Sequence, residues 1–306
     1  MNRKHLLGLR GVSASEMTEI LDTAESMKRI IDAPNKKSAH LTGRSILTLF
    51  YENSTRTRMS FEIAGKYMSA AMSNIAVSTS SVAKGETLID TGKTLDQMGI
   101  DLIIMRHSMS GAPHLLSKHV KAGVINAGDG MNEHPTQGLL DMMTMRQAKG
   151  EIKGLNVAII GDALHSRVVR SNIWGLTTMG ANVTVAGPRT LVPPELAEMG
   201  AKVTYDVREA AAGADVVMGL RIQRERQKAG LFPSVREYAD FFGIDSELVN
   251  LADREAIVMH PGPMNRGVEI TSDAADAANS MINEQVKNGV AVRMALLYML
   301  TRREQA

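Results

Sequence analysis

The sequence predicts an α/β protein of two doubly wound parallel-sheet domains joined by long helices. Three observations predict it. Strand-like apolar runs and helix-like amphipathic segments alternate almost throughout, and each strand–helix–strand step is long enough for a right-handed crossover. A polar, glycine-punctuated break, Lys149-Gly150-Glu151-Ile152-Lys153-Gly154, interrupts the alternation near mid-chain, and a second round starts at once. At 306 residues, the chain can give each half its own core.

Ser13 and Glu16 have capping-box spacing ahead of a first helix with apolar residues at Met17, Ile20, Leu21, Ala24 and Met27. Strands are expected at 45–50, 74–78, 101–106 and 124–127, with helices at 56–71, 87–98 and 112–120 between them. Pro135 opens a helix running to about Ala148, since proline is tolerated in a first turn. Beyond the break come a strand at 156–160, a helix from about Arg167 to Met179, and strands at 182–186, 202–205, 215–219 and 256–259. Val286, Val290, Val292, Leu296, Leu297 and Leu300 make 282–301 one long terminal helix.

Composition narrows the class. A hydrophobic share of 44% and a charged share of 22% fit an ordinary globular chain. The net charge of +2 gives no bulk electrostatic case for a nucleic-acid or membrane partner. No cysteine is present, which removes disulfides, thiolate zinc sites and cysteine nucleophiles and fits a reducing, cytoplasmic setting. Met1-Asn2-Arg3-Lys4-His5 lacks the apolar stretch of a signal peptide, and no run approaches transmembrane length. The methionines at Met142, Met143 and Met145 read as helix packing.

Ligands in open parallel sheets bind beyond the carboxyl ends of the strands, so the residues after each strand are the place to look. After the first comes Ser54-Thr55-Arg56-Thr57-Arg58, at a strand-to-helix turn. Helix N-terminal N–H groups, hydroxyls and a guanidinium together suit a phosphate or another compact oxyanion. A lone S/T-x-R is far more often a cap beside a solvated arginine; four such residues in a row favour the anion site. Later strand ends carry Arg106, then His134-Pro135-Thr136-Gln137, and finally His260-Pro261-Gly262-Pro263. Each cluster alone is a weak signal, but four at one kind of sheet edge are not.

These motifs, in order over nearly the whole chain, resemble the transcarbamoylase family, whose main members act on aspartate and on ornithine. The resemblance implies that Ser54, Thr55, Arg56 and Thr57 hold the phosphate of carbamoyl phosphate with help from Arg106. It implies that Thr57, Arg106 and His134 polarise the carbonyl, making Arg56, Thr57, Arg106 and His134 the catalytic set. Gln137 and the backbone carbonyls near Pro261, Gly262 and Pro263 would recognise the carbamoyl amino group. Gly262 departs from members with leucine there, of little consequence for a backbone contact. The implied limits are a carbamoyl-phosphate domain at 1–148, with the terminal helix 284–306 packing back on it, and a second-substrate domain at 149–283.

The second substrate separates the branches. Ser80-Ser81-Val82-Ala83-Lys84 resembles a loop that a neighbouring subunit supplies in the aspartate-specific branch; whether Ser80 or Ser81 is the site serine stays open. By the same resemblance Lys84, Arg167, Arg221 and Gln223 bind the two carboxylates of L-aspartate, whereas Arg224, Glu225 and Arg226 read as a solvated charged loop. The ornithine branch uses a Ser-Met-Gly motif in its second domain and a cysteine near the C-terminus; this chain has neither there. The expectation is carbamoyl transfer to the α-amino group of L-aspartate, an early step of pyrimidine biosynthesis, in a cytoplasmic homotrimer with shared sites. Separate regulatory chains are compatible with it; a metal, an organic cofactor, a nucleic acid or a membrane is not implied. The competing readings are an ornithine-type carbamoyltransferase and an anion-binding protein without turnover. A dinucleotide oxidoreductase is weaker, because Ile159-Ile160-Gly161-Asp162 lacks the G-x-G-x-x-G spacing.

Overall fold

The computed structural model describes residues 3–76, 85–222 and 234–302. Two five-stranded sheets organise the chain, and within them every strand pair is parallel. Contacts divide the chain into two compact units, one of residues 1–139 with 287–306 and the other of 140–286.

In the first unit the order of elements is β1 (His5–Leu6), α1 (Ala14–Asp32), β2 (Ser45–Phe50), α2 (Thr55–Tyr67), β3 (Ala71–Ala76), α3 (Leu88–Gln97), β4 (Leu102–His107), α4 (Ala112–Ser117) and β5 (Gly123–Asp129). The sheet order is β1-β5-β4-β2-β3. Ser13 caps α1 in the predicted box, its side chain accepting from the Glu16 N–H while the Glu16 carboxylate accepts from the Ser13 N–H. Leu47 and Leu49 of β2, Ile103 and Met105 of β4 and Val124 of β5 bury one sheet face against Leu95 and Leu116 from α3 and α4. Strands covered on both faces read as continuous apolar runs, and so β2, β4 and β5 were legible.

Three differences from the expected elements have physical causes. β3 pairs with β2 from Ser45↔Ala71 to Phe50↔Ala76, starting three residues before the predicted 74. It is an edge strand with several exposed residues, so pairing sets its limits and burial does not. α2 stops at Tyr67 because Ser69 turns left-handed at φ 64° and its hydroxyl donates to the Ser38 carbonyl at 2.7 Å. The two-residue β1, held to β5 at Val124 and Ile125, is too short to show a period.

α5 (Pro135–Lys149) is buried through Met145, and Met142, Met143 and Met145 are core residues. A helix covered all round has no amphipathic stripe, which explains its weak periodicity. The division between the units falls within α5 and again within α11 (Ile282–Thr301). From Lys287 onward α11 packs on the first unit: Lys287 pairs with Asp32 at 2.5 Å, and Tyr298 meets His40 edge-on at 5.2 Å.

The second unit runs β6 (Asn156–Ile160), α6 (Arg167–Thr178), β7 (Asn182–Ala186), a 3-10 turn at Pro194–Met199, β8 (Lys202–Thr204), α7 (Val207–Ala211), β9 (Val216–Gly219), α8 (Val235–Phe242), α9 (Ser246–Val249), β10 (Ile257–Met259) and α10 (Ser272–Ala275). Its sheet order is β10-β9-β6-β7-β8. Ile160, Val217 and Val258 pack with Ala211, Leu248 and Ala274 on one face. The helices α7, α9 and α10, of four or five residues, are too short for a period of their own, whereas α8 is amphipathic with Tyr238 buried and was passed over. Among the described residues, no helix is long and apolar enough to cross a membrane.

Candidate active site

In the first unit the chain leaves β2 toward β3 on one side and returns as β4 on the other. Doubly wound sheets bind ligands at such a reversal, beyond the carboxyl ends of the two strands that flank it, here β2 and β4. The register Phe50↔Arg106 puts the Ser54–Thr57 turn and Arg106 at this edge. Ser54 is extended (φ −159°, ψ 96°) and makes no side-chain cap bond, so the first-turn N–H groups of α2 are not taken up by it. Thr57 is buried and Arg56 is exposed at the helix start. Both fit an anion held by helix N–H groups, hydroxyls and a guanidinium.

Arg106 is not idle. Its Nη2 lies 2.8 Å from Glu52 Oε1, and its Nη1 donates to the Ala127 carbonyl at 3.3 Å. A phosphate reaching Arg106 competes with the Glu52 carboxylate, a partner that sequence reasoning missed. Only the pairing of β2 with β4 brings Glu52 and Arg106 together across 54 residues. Beside them, burial lowers the His107 pKa against the opposing pull of Asp129 and Glu52, and its Nδ1 accepts from the Met109 N–H at 2.9 Å.

His134 is presented by a loop anchored on two buried carboxylates. Asp129, at the end of β5, accepts from the N–H groups of Gly111 (2.6 Å) and Glu133 (3.2 Å) and from the amides of Asn126 (2.7 Å) and Asn132 (3.1 Å). Glu133 accepts from the Leu9 N–H at 2.7 Å and the Arg10 N–H at 3.3 Å. A Cβ on Gly8 would collide with Glu133 Oε1, so any side chain there must displace that hydrogen-bonded carboxylate. The buried His134 ring places Nδ1 3.5 Å from Thr136 Oγ1. Thr136 also meets Arg293 of α11 at 3.5 Å, and that guanidinium lies 5.1 Å over the Phe61 ring. Gln137, in the first turn of α5, is buried. The structure therefore collects Ser54–Thr57, Arg106, His134 and Gln137 at the adjacent carboxyl ends of β2, β4 and β5.

The second unit repeats the reversal: β7 and β8 lie on one side of β6, β9 and β10 on the other. Asp162, His165, Ser166 and Arg167 follow β6, Arg221 follows β9 and His260 follows β10. Ser166 caps α6 by accepting from the Val169 N–H at 3.3 Å, and Arg167, its first residue, is 5% exposed. Gly161 (φ 134°) brings its loop so close to β9 that a Cβ would stand 2.9 Å from the Leu220 carbonyl oxygen.

Two histidine–carboxylate pairs lie under these loops, and sequence spacing did not reveal them. His165 Nδ1 is 2.9 Å from Asp162 Oδ1. His260 accepts the Gly262 N–H on Nδ1 at 2.9 Å, so its proton is on Nε2, which faces Glu269 Oε1 at 3.5 Å. Glu269 also accepts from the Asn265 N–H and, at 3.1 Å, from the Asn265 amide. Burial, reinforced by the charges of Glu269 and Asp162, pushes the Tyr238 phenol far above its ordinary pKa and keeps it neutral. Among the described residues no three His, Asp or Glu side chains form a cluster able to hold a metal ion. Ser80, Ser81, Lys84 and Gln223 lie outside the described residues, as do Arg224, Glu225 and Arg226.

Two family models match the chain: the aspartate/ornithine carbamoyltransferase carbamoyl-P binding domain over residues 4–147 and the Asp/Orn binding domain of the same family over 153–300. The chain belongs to the aspartate/ornithine carbamoyltransferase family. The aspartate carbamoyltransferase catalytic subunit of Ruminiclostridium cellulolyticum is 67% identical over 303 residues, spanning 99% of this chain and 97% of the relative. That of Acetivibrio thermocellus is 66% identical over 304 residues, with the same coverage of 99% and 97%.

Solved carbamoyltransferases share the two-sheet fold. Aspartate transcarbamoylase from Trypanosoma cruzi, crystallised with carbamoyl aspartate and phosphate, matches with a TM-score of 0.86 at 31% identity, covering 96% of this chain and 95% of the other. Ornithine carbamoyltransferase from Thermus thermophilus matches with a TM-score of 0.88 at 27% identity, covering 99% and 100%. Backbone shape alone does not separate the two branches of the carbamoyltransferase family. Sequence does, since the relatives at 58–67% identity are named aspartate carbamoyltransferase catalytic subunits.

Proposed function

We infer that this chain is the catalytic polypeptide of an aspartate carbamoyltransferase. It transfers the carbamoyl group of carbamoyl phosphate to the α-amino group of L-aspartate, giving N-carbamoyl-L-aspartate and phosphate, an early step of pyrimidine biosynthesis. The observation that carries this reading is the 67% identity, over 99% of the chain, to a protein of that name. The placement of Ser54–Thr57, Arg106 and His134 at one sheet edge supports it.

In this reading the first turn of α2 and Arg56 hold the phosphate, and Arg106 exchanges Glu52 for a phosphate oxygen. Thr57, Arg106 and His134 donate to the carbonyl oxygen, where negative charge grows as the deprotonated amine attacks. Fixed donors aimed at that oxygen stabilise the transition state more than the ground state, by about 3–4 kcal/mol for one good donor. Holding both reactants in attack geometry contributes up to about 7–11 kcal/mol. The tetrahedral intermediate expels phosphate, which takes the amine proton, so no side-chain base is required. Gln137 and the carbonyls of Pro261, Gly262 and Pro263 recognise the carbamoyl amino group. Arg167, Arg221, Gln223 and Lys84 neutralise the aspartate carboxylates.

We assign carbamoyl-phosphate recognition to 1–148 with 284–306, and aspartate recognition to 149–283. The reading includes a homotrimer in which Ser80 and Lys84 act in a neighbour's site, in the cytoplasm. Activity with carbamoyl phosphate and aspartate, against ornithine, is the test. A preference for ornithine overturns the roles of Arg167 and Arg221, and phosphate binding without any carbamoyl product overturns the enzyme itself. Mixing Arg56→Ala and Lys84→Ala proteins tests the shared site: recovered activity is expected, and none after demonstrated subunit exchange counts against it.

A further inference from the structure

The loop His260-Pro261-Gly262-Pro263 is poor in donors. Proline has no N–H, so only His260 and Gly262 carry one. The protein uses both internally: Gly262 donates to the ring of His260, and His260 donates to Gln285 Oε1 at 2.9 Å. What the loop retains to offer a ligand is carbonyl oxygen. Gln285, near the start of α11, is buried and in turn donates through Nε2 to Asp141 Oδ1 at 2.7 Å. Asp141, on α5 and 0% exposed, accepts on its other oxygen from the Asn172 amide at 2.8 Å.

We propose that Asp141 and Gln285 are positioning residues for carbamoyl recognition, forming a buried polarity relay that fixes the carbonyl-bearing loop 260–263. A carboxylate with donors on both oxygens can only accept. It therefore turns the Gln285 nitrogen toward itself and the Gln285 oxygen toward the His260 N–H. One buried charge decides which way an amide faces, and that amide sets the backbone from which the carbonyls project. The relay rests on the functional reading above, in which those carbonyls take the carbamoyl amino group.

The test compares carbamoyl phosphate with acetyl phosphate, which places a methyl where the amino group stands. The measured quantity is the ratio of the acetyl phosphate inhibition constant to the carbamoyl phosphate KM. Gln285→Glu sets two carboxylates against each other, and the ratio falls roughly tenfold, the scale of one misplaced hydrogen bond. Adding Asp141→Asn to it restores the relay with its first bond reversed: the amide introduced at position 141 donates to the new carboxylate, which still accepts from His260. The double variant returns the ratio to within about twofold of wild type, a coupling that independent sites do not show. Gln285→Leu, uncharged and of similar length, repeats the fall should Gln285→Glu not fold. A merely structural role weakens both ligands alike and leaves the ratio unchanged. An unchanged ratio in folded Gln285→Glu or Gln285→Leu overturns the proposal, as does a double variant that regains thermal stability but not the ratio. Wild-type protein that makes no carbamoyl-aspartate would defeat the functional reading; an active wild type with insensitive variants defeats the relay alone.

Discussion

The two units share a winding and differ in how they arm it. Each sheet reverses direction beside its first long strand, β2 in one and β6 in the other, and the candidate site residues of each follow the strands at that reversal. The first unit presents an uncapped helix start, an arginine partnered by Glu52 and a histidine held by a loop tied to Asp129 and Glu133. The second presents a helix start capped by Ser166 and two buried histidines beside carboxylates, His165 bonded to Asp162 and His260 Nε2 3.5 Å from Glu269. An uncapped helix end invites an anion, while a capped one has already used part of that capacity. The comparison shows that topology chooses the place and the strand-end residues choose the chemistry.

The sharpest way to break it is to remove one arginine from each unit. Arg106→Ala should lower kcat about 100- to 1,000-fold, the loss expected for a donor to the reacting oxygen. Arg167→Ala should instead raise the KM for aspartate roughly 10- to 100-fold with little change in the KM for carbamoyl phosphate, the scale of one charge-assisted contact. Steady-state kinetics with each substrate varied in turn decides; the same profile from both variants would erase the division of labour.

A smaller effect tests the anchoring of the His134 loop. In Gly8→Ala the new methyl meets the buried Glu133 carboxylate, which cannot retreat without losing the Leu9 and Arg10 N–H groups. We expect a cost of about 1–3 kcal/mol in chemical denaturation, as for other overpacked sites. A variant as stable as wild type would show that the loop yields easily.

The smallest effect concerns acid stability of the first unit. The hydrogen-bonded Arg3 guanidinium holds the Glu16 carboxyl down at about 2, from 4.5. A lowered carboxylate pKa stabilises the fold above pH 4.5, and that contribution disappears as the pH falls toward 2. Because the pair is partly exposed, its worth is about 1 kcal/mol or less after solvent screening. The stability gap between wild type and Glu16→Gln should therefore shrink from about 1 kcal/mol at pH 6 to roughly half of that at pH 3, and vanish only toward pH 2. A gap independent of pH would remove the ion pair from the account.

Much was legible because it is local. The α1 capping box, the Ser54–Thr57 turn and the proline that starts α5 are each written within a few residues, and the structure places them where the spacing does. The edge strand β3 and the helices α7, α9 and α10 were misjudged or missed, because exposed or short segments carry little hydrophobic period. Glu52 is a loop carboxylate like any other until β2 meets β4, and Glu269 lacks significance until it faces His260.

The sequence by itself determined the alternation of strands and helices and the strand-to-helix turn Ser54–Thr57, since each is written in neighbouring residues, and its family resemblance supplied the residues proposed for L-aspartate. Tertiary structure alone decided that Arg106 is shared with Glu52, and that Asp141 reaches His260 through Gln285, 144 residues away in the chain. Hydrogen bonds of that kind depend on which strands and helices become neighbours, and that depends on the packing of the whole core, which no short stretch of sequence records.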